Sequence, residues 1–595
     1  MLRALLLILA VASAAEAARQ PNILVIFSDD HGWADLGANG ADKDIRTPEL
    51  DALARDGVRF TQGYVTAPQC VPSRAGLMTG RYQQRCGVDD NNKGPLPLAE
   101  VTLAERLKAA GYRTGQVGKW HLDQVAKGAP KSKAAELGKD FLPVKQGFDE
   151  QFTGALGQYH VTHTLDGKPV AQPPALIKDS RFRVTVQTDA ALSFLDRRKA
   201  EPDRPWFLYL AWYAPHVPLE SPEPWYSKTP EHLPKERRQA LAMIAAMDEG
   251  LGRVRRKLAE MGADKDTLVF FIGDNGAPLG GAWNGSLNLP MRGQKGMVSE
   301  GGNRVPFVAA WPGRIPAGSV HGSPVISLDV AATAVAAAGL PADPALDGVD
   351  LLPRLNGAEA APRTLYWRWG SQAAALEHPH KLVLLGDRTK LLFDITDPAG
   401  ESARTDLLKQ RPEVAAALEK KLQDWAATLK TPGLPTSFDR HHEELFATAG
   451  ITAAPAGPIV VPGRAAPAEE WICRNGKAER RDGALRITPD GAKPAFIART
   501  GIDLKGPLSI VLKGAGQGGP GSVSWRIEGE TDFLPANVRA FDWPTDGQET
   551  RIMLPVMQKV IHLRLIAPKG GIPVGLKSLR IMGPNGEKSW DFSSR

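Results

Sequence analysis

Cysteine is nearly missing from this sequence. Its 595 residues include only Cys70, Cys86 and Cys473, an odd number at wide spacing, which excludes a disulfide framework and leaves any cysteine chemistry to a single side chain. Long apolar runs are also missing beyond the N-terminus, where no stretch approaches the ~18 consecutive apolar residues of a membrane-spanning helix. Most of the chain has no excess charge. The formal +7 comes from 73 basic and 66 acidic residues, and residues 471–595 hold 19 and 12 of these, so the remainder is balanced. An excess of this size serves solubility as readily as an acidic partner, and neither a nucleic-acid nor a membrane partner is expected. No internal repeat is evident.

What is present describes a globular chain. With 43% hydrophobic and 23% charged residues a sizeable core can be buried, and 60 glycines and 48 prolines imply many loops. At ~150 residues per domain the length suggests about two to four domains. The first of these follows an export signal: Arg3, the apolar run from Ala4 to Ala15, and the small-residue site Ala15-Glu16-Ala17. No cysteine for lipid attachment follows it, so residues 1–17 are read as a signal peptide and the protein as periplasmic or secreted.

Residues 22–28 (NILVIFS) form a short continuous apolar run, as in a buried parallel strand, and stop at Asp29-Asp30. Residues 267–273 (TLVFFIG) repeat the arrangement and stop at Asp274-Asn275. In open α/β sheets ligands gather beyond the carboxyl ends of the strands, so two strands ending in paired oxygen ligands favour one shared cation site over two turn starts.

Helical signals alternate with these strands. Thr47-Pro48 reads as an N-cap and first turn, residues 102–110 end at Gly111, and residues 235–261 form a long helical stretch, while residues 206–213 and 305–311 read as further strands. The alternation predicts a layered α/β domain over residues 18–350. Residues 351–430 change grammar, to short strands (TLYWRWG, KLVLLG, LLFDIT) and an Ala/Leu/Lys helix, a compact α+β subdomain. Residues 431–468 are Pro/Ala/Gly-rich and read as an extended linker, and residues 469–595 carry short alternating runs between turns, the pattern of an all-β sandwich.

The most informative stretch runs from Cys70 to Gly80, CVPSRAGLMTG. It resembles the signature of the type I sulfatases, in which the cysteine of C-x-P-S-R is oxidised to formylglycine after synthesis. The second signature of that family matches at Gly111-Tyr112-Arg113-Thr114 through Gly118-Lys119-Trp120-His121. Asn22 to Gly37, Thr47 to Asp51, Arg292 to Gly296 and Glu300 to Pro306 follow the family in order, so the resemblance covers residues 21–430. It implies an alkaline-phosphatase-like central sheet between helices and a sulfuric ester hydrolase.

The resemblance also implies roles. One hydroxyl of the hydrated aldehyde at position 70 attacks sulfur, and the other loses its proton so that the aldehyde reforms and expels sulfate. Arg74 holds the formylglycine, and the helix starting near Pro72 is expected to point N–H groups at an anion. The metal ligands are Asp29, Asp30, Asp274 and Asn275 together with the group at Cys70. These are hard oxygen donors that suit Ca²⁺, with Mg²⁺ the alternative, rather than zinc. Lys119 and Lys295 contact sulfate, His121 is the base for the second hydroxyl, and His216 helps protonate the leaving oxygen. The implied partners are a sulfate ester, expected to be a sulfated carbohydrate, and a formylglycine-generating maturation enzyme.

Trp283, Asn284, His160 and His163 lie near the family's variable recognition stretches and are weaker candidates for the sugar or aryl part. Cys86 and Cys473 are read as unpaired core thiols, His441-His442 as a solvated pair, and the sequon at Asn284 as chance. Two other functions use the same residues: a phosphate or phosphonate ester hydrolase of the superfamily, and a non-catalytic polyanion-binding protein.

Overall fold

The computed structural model describes residues 19–124, 138–359, 361–437, 439–452, 471–491, 493–530, 533–534 and 536–593. The expected signal peptide lies outside these residues. The chain divides into two compact units, Met1–Ala454 and Pro455–Arg595.

The first unit is organised by a ten-stranded sheet. Its order is Ser319–His321, Val58–Phe60, Phe307–Ala310, Thr267–Gly273, Asn22–Asp29, Trp206–Pro215, Arg113–Gly118, Glu150–Ala155, Gln158–Val161 and Ala175–Lys178. The central strands from Thr267–Gly273 through Glu150–Ala155 run parallel, and the strands beyond them are mostly antiparallel. Asn22–Asp29 is buried along its whole length because helices cover both faces. Ile23, Val25 and Phe27 enter one core with the helices Cys70–Thr79, Leu103–Ala109 and Leu328–Ala337. Leu24 and Ile26 enter the other, with Pro48–Asp56, Arg183–Arg198 and Lys235–Glu260.

Two helix starts show how local and distant capping differ. Thr102 forms a capping box with Glu105: its hydroxyl accepts from the Glu105 amide at 3.1 Å while Glu105 Oε2 accepts from the Thr102 amide at 2.7 Å. Thr47 does not cap its helix as expected. Its hydroxyl bonds Gly37 and Asp51, and the free amides of Glu49 and Leu50 are taken by Asp248 from the long helix.

The α+β subdomain is a four-stranded antiparallel meander, Leu365–Trp369, Gln372–Glu377, His380–Leu385 and Thr389–Asp394, covered by the helix Pro412–Ala427. Residues 431–468 are not wholly extended. The helix Arg440–Thr448 lies inside the expected linker, and Phe446 and Ile451 are fully buried in the subdomain's core. His442 is likewise no solvated residue: its Nδ1 lies 2.7 Å from Ser371 Oγ and its ring packs on Trp369 at 5.0 Å.

The second unit has two antiparallel sheets around its own core. One runs Ile472–Arg474, Phe496–Lys505, Lys559–Ile566, Gly519–Ile527, Val538–Trp543, and the other is built on Val574–Gly583 and Leu508–Gly514. The all-β sandwich expected here is present. Among the described residues no helix is long and apolar enough to cross a membrane.

Candidate active site

Parallel pairing sets the site. Ser28 lies opposite Gly273, so Asp29-Asp30 and Asp274-Asn275 emerge side by side at the carboxyl end of the sheet. Asp30 turns with φ +58° and its amide donates to Asp274 Oδ1 at 2.9 Å. Asn284, fully buried, donates from Nδ2 to the Asp30 carbonyl at 3.0 Å and the Pro215 carbonyl at 3.3 Å. It is therefore a brace between strand ends rather than a substrate contact, and its sequon is closed to glycosylation in the folded chain. Trp283 donates to the Ser286 carbonyl, and His163 bonds Thr162 and faces Glu150.

Cys70 opens the helix Cys70–Thr79 beneath these carboxylates and is 1% exposed. Its sulfur lies 3.3 Å from Lys295 Nζ and 3.5 Å from Asp29 Oδ1. Burial pushes the thiol up to about 12 despite Lys119 and Lys295, so the unmodified side chain is a poor thiolate nucleophile. The first turn of this helix does not present a row of free N–H groups. Asn91 Oδ1 takes the Val71 amide at 3.0 Å, Pro72 has none, and the Ser73 amide bonds the Gln69 carbonyl.

The cations pair with the carboxylates. Lys119 Nζ is 2.6 Å from Asp29 Oδ2, Lys295 Nζ is 2.6 Å from Asp30 Oδ1, and Arg74 Nη2 is 2.7 Å from Asp274 Oδ2. Arg74 also bonds Tyr209 Oη and the Lys119 carbonyl, so its guanidinium braces the carboxylate frame. Burial would raise Asp29, but Lys119, His216, Arg74 and Lys295 together hold its carboxyl well below the usual range. Burial and then the neighbouring Asp29 push Asp274 up to about 7.

Two histidines stand at the less buried side. His216 Nδ1 lies 2.6 Å from the Val217 carbonyl, which can only accept, so Nδ1 carries a proton and Nε2 faces Asp30 Oδ2 at 3.6 Å. Arg183 steadies this turn by donating to the carbonyls of His216 and Pro218. His121 sits at φ +63° directly after buried Trp120, and its buried Nδ1 has no hydrogen-bond partner among the described residues. Burial, Lys119 and Arg74 hold its imidazole well below the usual range, hence neutral.

The donor set fits a hard cation. Ligand atoms of Asp29, Asp30, Cys70 and His216 lie within 4.8 Å of one another, and Asn275 Oδ1 is buried with no hydrogen-bond partner among the described residues. Carboxylate and amide oxygens dominate, as Ca²⁺ or Mg²⁺ requires. All the residues singled out by the motifs, Cys70, Arg74, Lys119, His121, His216, Lys295 and the four oxygen ligands, meet in this one network. Tyr209, Arg183 and Asn91 join it without any local motif.

The sulfatase family profile matches residues 21–340. The chain is 34% identical over 403 residues to the N-acetylgalactosamine-6-sulfatase of Canis lupus familiaris, covering 62% of this chain and 73% of that protein. It is 35% identical over 390 residues to arylsulfatase A of Homo sapiens, covering 60% and 72%. The crystal structure of Ps i-CgsB in complex with k-i-k-neocarrahexaose aligns with a TM-score of 0.60 at 27% identity, covering 73% of this chain and 98% of that one. With these matches spanning the strand ends, the Cys70 helix and the Lys119 and Lys295 segments, the chain belongs to the sulfatase family of the alkaline-phosphatase-like superfamily and is a sulfuric ester hydrolase.

Proposed function

We propose that the protein is an exported carbohydrate sulfatase with a formylglycine made from Cys70 and a Ca²⁺ ion. The observation that carries this reading is the placement of the C-x-P-S-R cysteine, buried and poor as a thiolate, between two lysines and four oxygen ligands. Formylglycine would supply, as its hydrate, one hydroxyl to attack sulfur and a second whose deprotonation reforms the aldehyde and expels sulfate on the first oxygen. Asp29, Asp30, Asp274 and Asn275 would hold the ion, which supplies positive charge to the sulfonate oxygens.

The chain's own groups divide the remaining work. Lys119 and Lys295 place ammonium groups near position 70, where they balance the anionic sulfonate as charge builds on it. Arg74 holds the carboxylates of Asp29 and Asp274 in place through its guanidinium. His216 presents Nε2 toward the site and, with both ring nitrogens protonated, gives the Nε2 proton to the departing alcohol and is left as the Nδ1–H imidazole. His121, neutral and with an unpartnered nitrogen, accepts the proton whose loss frees sulfate.

Carbohydrate is favoured because the relatives include an N-acetylgalactosamine-6-sulfatase and a protein crystallised with a neocarrahexaose. Sulfate release across aryl sulfates, sulfated monosaccharides and sulfated polysaccharides tests this. Turnover of sulfated sugars is expected, and faster turnover of phosphate or phosphonate esters with no sulfate release would refute it.

A further inference from the structure

Lys295 is carried by a loop that is fixed by hydrogen bonds from both the catalytic domain and the α+β subdomain. The Lys295 amide bonds the Ala277 carbonyl at 3.1 Å and the Gly296 amide bonds the Pro68 carbonyl at 2.8 Å. Beyond that point Gln372 takes over. This residue opens the strand Gln372–Glu377 and is fully buried. Its Nε2 donates to the Gly296 carbonyl at 2.9 Å and its Oε1 accepts from the Val298 amide at 2.9 Å. Both ends of one side-chain amide are thus committed to a three-residue segment that starts immediately after Lys295.

The next anchor also comes from the subdomain. Glu401 Oε2 accepts from the Glu300 amide at 2.7 Å, and Lys381 Nζ bridges Glu300 at 2.8 Å and Glu401 at 3.0 Å. Gly296, at φ +83°, has Trp369 and Gln69 about its open side, with the nearest Trp369 ring atom 3.6 Å from where a Cβ would stand. The loop is therefore wedged between the residue before the nucleophile and the subdomain's first hairpin.

Simple packing would be served by an apolar side chain at position 372, without the cost of burying an amide. An amide with both groups satisfied instead fixes two main-chain positions at once. The group that depends on this is the Lys295 ammonium, held 3.3 Å from Cys70 Sγ and 2.6 Å from Asp30 Oδ1 at the end of a long flexible stem.

We infer that Gln372 is a positioning residue, which sets the main chain of Gly296 and Val298 so that the Lys295 ammonium stands against the nucleophile and the sulfate group. This rests on the role given to Lys295 above. The α+β subdomain thereby takes part in sulfate recognition without touching sulfate through Gln372 itself.

The test uses full-length enzyme with Gln372→Met, which keeps size and removes both hydrogen bonds, and Gln372→Glu, which keeps the acceptor for Val298 and loses the donor for Gly296. Turnover of an aryl sulfate, affinity for inorganic sulfate by calorimetry, and melting are measured for each, alone and combined with Lys295→Ala. Each Gln372 variant is expected to lower kcat/KM roughly 10- to 100-fold and to weaken sulfate binding. Neither should add a further loss when Lys295 is already alanine. Losses that simply multiply in the double variants, or a lowered melting temperature with unchanged sulfate affinity, would overturn the inference and leave Gln372 a packing residue. A silent Lys295→Ala would instead overturn the role of Lys295, and the inference with it.

Discussion

The main-chain amide of Asp30 donates to Asp274 Oδ1 at 2.9 Å, joining the ends of two strands that are 244 residues apart in sequence. The bond requires Asp30 to leave the extended conformation for φ +58°, a left-handed geometry that costs an ordinary residue of order 1 kcal/mol or more. Asn284 and the parallel register hold it there. The strain turns the Asp30 carboxylate toward Lys295 and His216 rather than along the strand.

The nucleophile is tested at Cys70. Cys70→Ala is expected to abolish turnover, because no other side chain in the site can both attack sulfur and release sulfate. In active wild type the peptide containing Cys70 should have the mass of formylglycine. An active preparation bearing only the thiol would contradict the mechanism.

The metal is tested by composition. Chelation should abolish activity and added Ca²⁺ should restore it, with about one ion per chain by elemental analysis. Asp274→Asn should lose the ion and activity together. It also weakens the partner of buried Arg74, so melting must be measured alongside. Stoichiometric zinc in active enzyme would refute the hard-cation assignment.

The two histidines should fail differently. If His216 protonates the departing alcohol, His216→Ala should cut turnover of sugar sulfates by about 10²–10⁴-fold while sparing activated aryl sulfates, which leave with little proton assistance. Loss of His121 should instead slow sulfate release, so a sulfated enzyme accumulates and is detectable by mass. Equal damage to both substrate types in His216→Ala would count against its role.

A pH effect is expected in the β unit. His562 pairs across the sheet with Arg526, stands near Arg564, and has its ring 4.8 Å from Phe533. Burial, then Arg526 and Arg564, push its imidazole down to about 4, while an unfolded chain has about 6.5. The folded state thus binds the proton less well than the unfolded state. This contribution to stability is fully present above pH 6.5 and is lost as pH falls toward 4. The melting-temperature gap between wild type and His562→Gln should change over that window. A constant gap from pH 7 to 4 would rule the effect out.

The catalytic sheet could be read from sequence because a strand buried on both faces is written as an unbroken apolar run, and each of the two runs stops at a pair of oxygen ligands, Asp29-Asp30 and Asp274-Asn275. The strand Gln372–Glu377 could not, since QAAALE has neither alternation nor β-branched residues and takes its structure from pairing on both edges. The helix Arg440–Thr448 was hidden by its Pro/Ala-rich flanks. Asp248, Tyr209 and Gln372 had no local signal, and Asn284 drew notice only as a recognition candidate and a sequon, because each serves main chain or side chains between 69 and 254 residues away. Such residues are found by packing, and the motifs do not record them.

The last prediction concerns residues 471–595, where the excess of positive charge is concentrated. The buried cores of the two units share no residue: those of the first end at Ile451 and that of the second begins at Trp471. A chain ending at Ala454 should therefore fold and keep its activity on small sulfate esters. If the β unit holds a polyanionic sulfated polymer by long-range attraction, the truncated enzyme should lose efficiency on that polymer at low salt. The difference should vanish as salt rises, since screening acts over ~10 Å at about 0.1 M. Parallel loss of polymer and small-ester turnover, or failure of the truncated chain to fold, would assign the β unit a packing role and end the tethering idea.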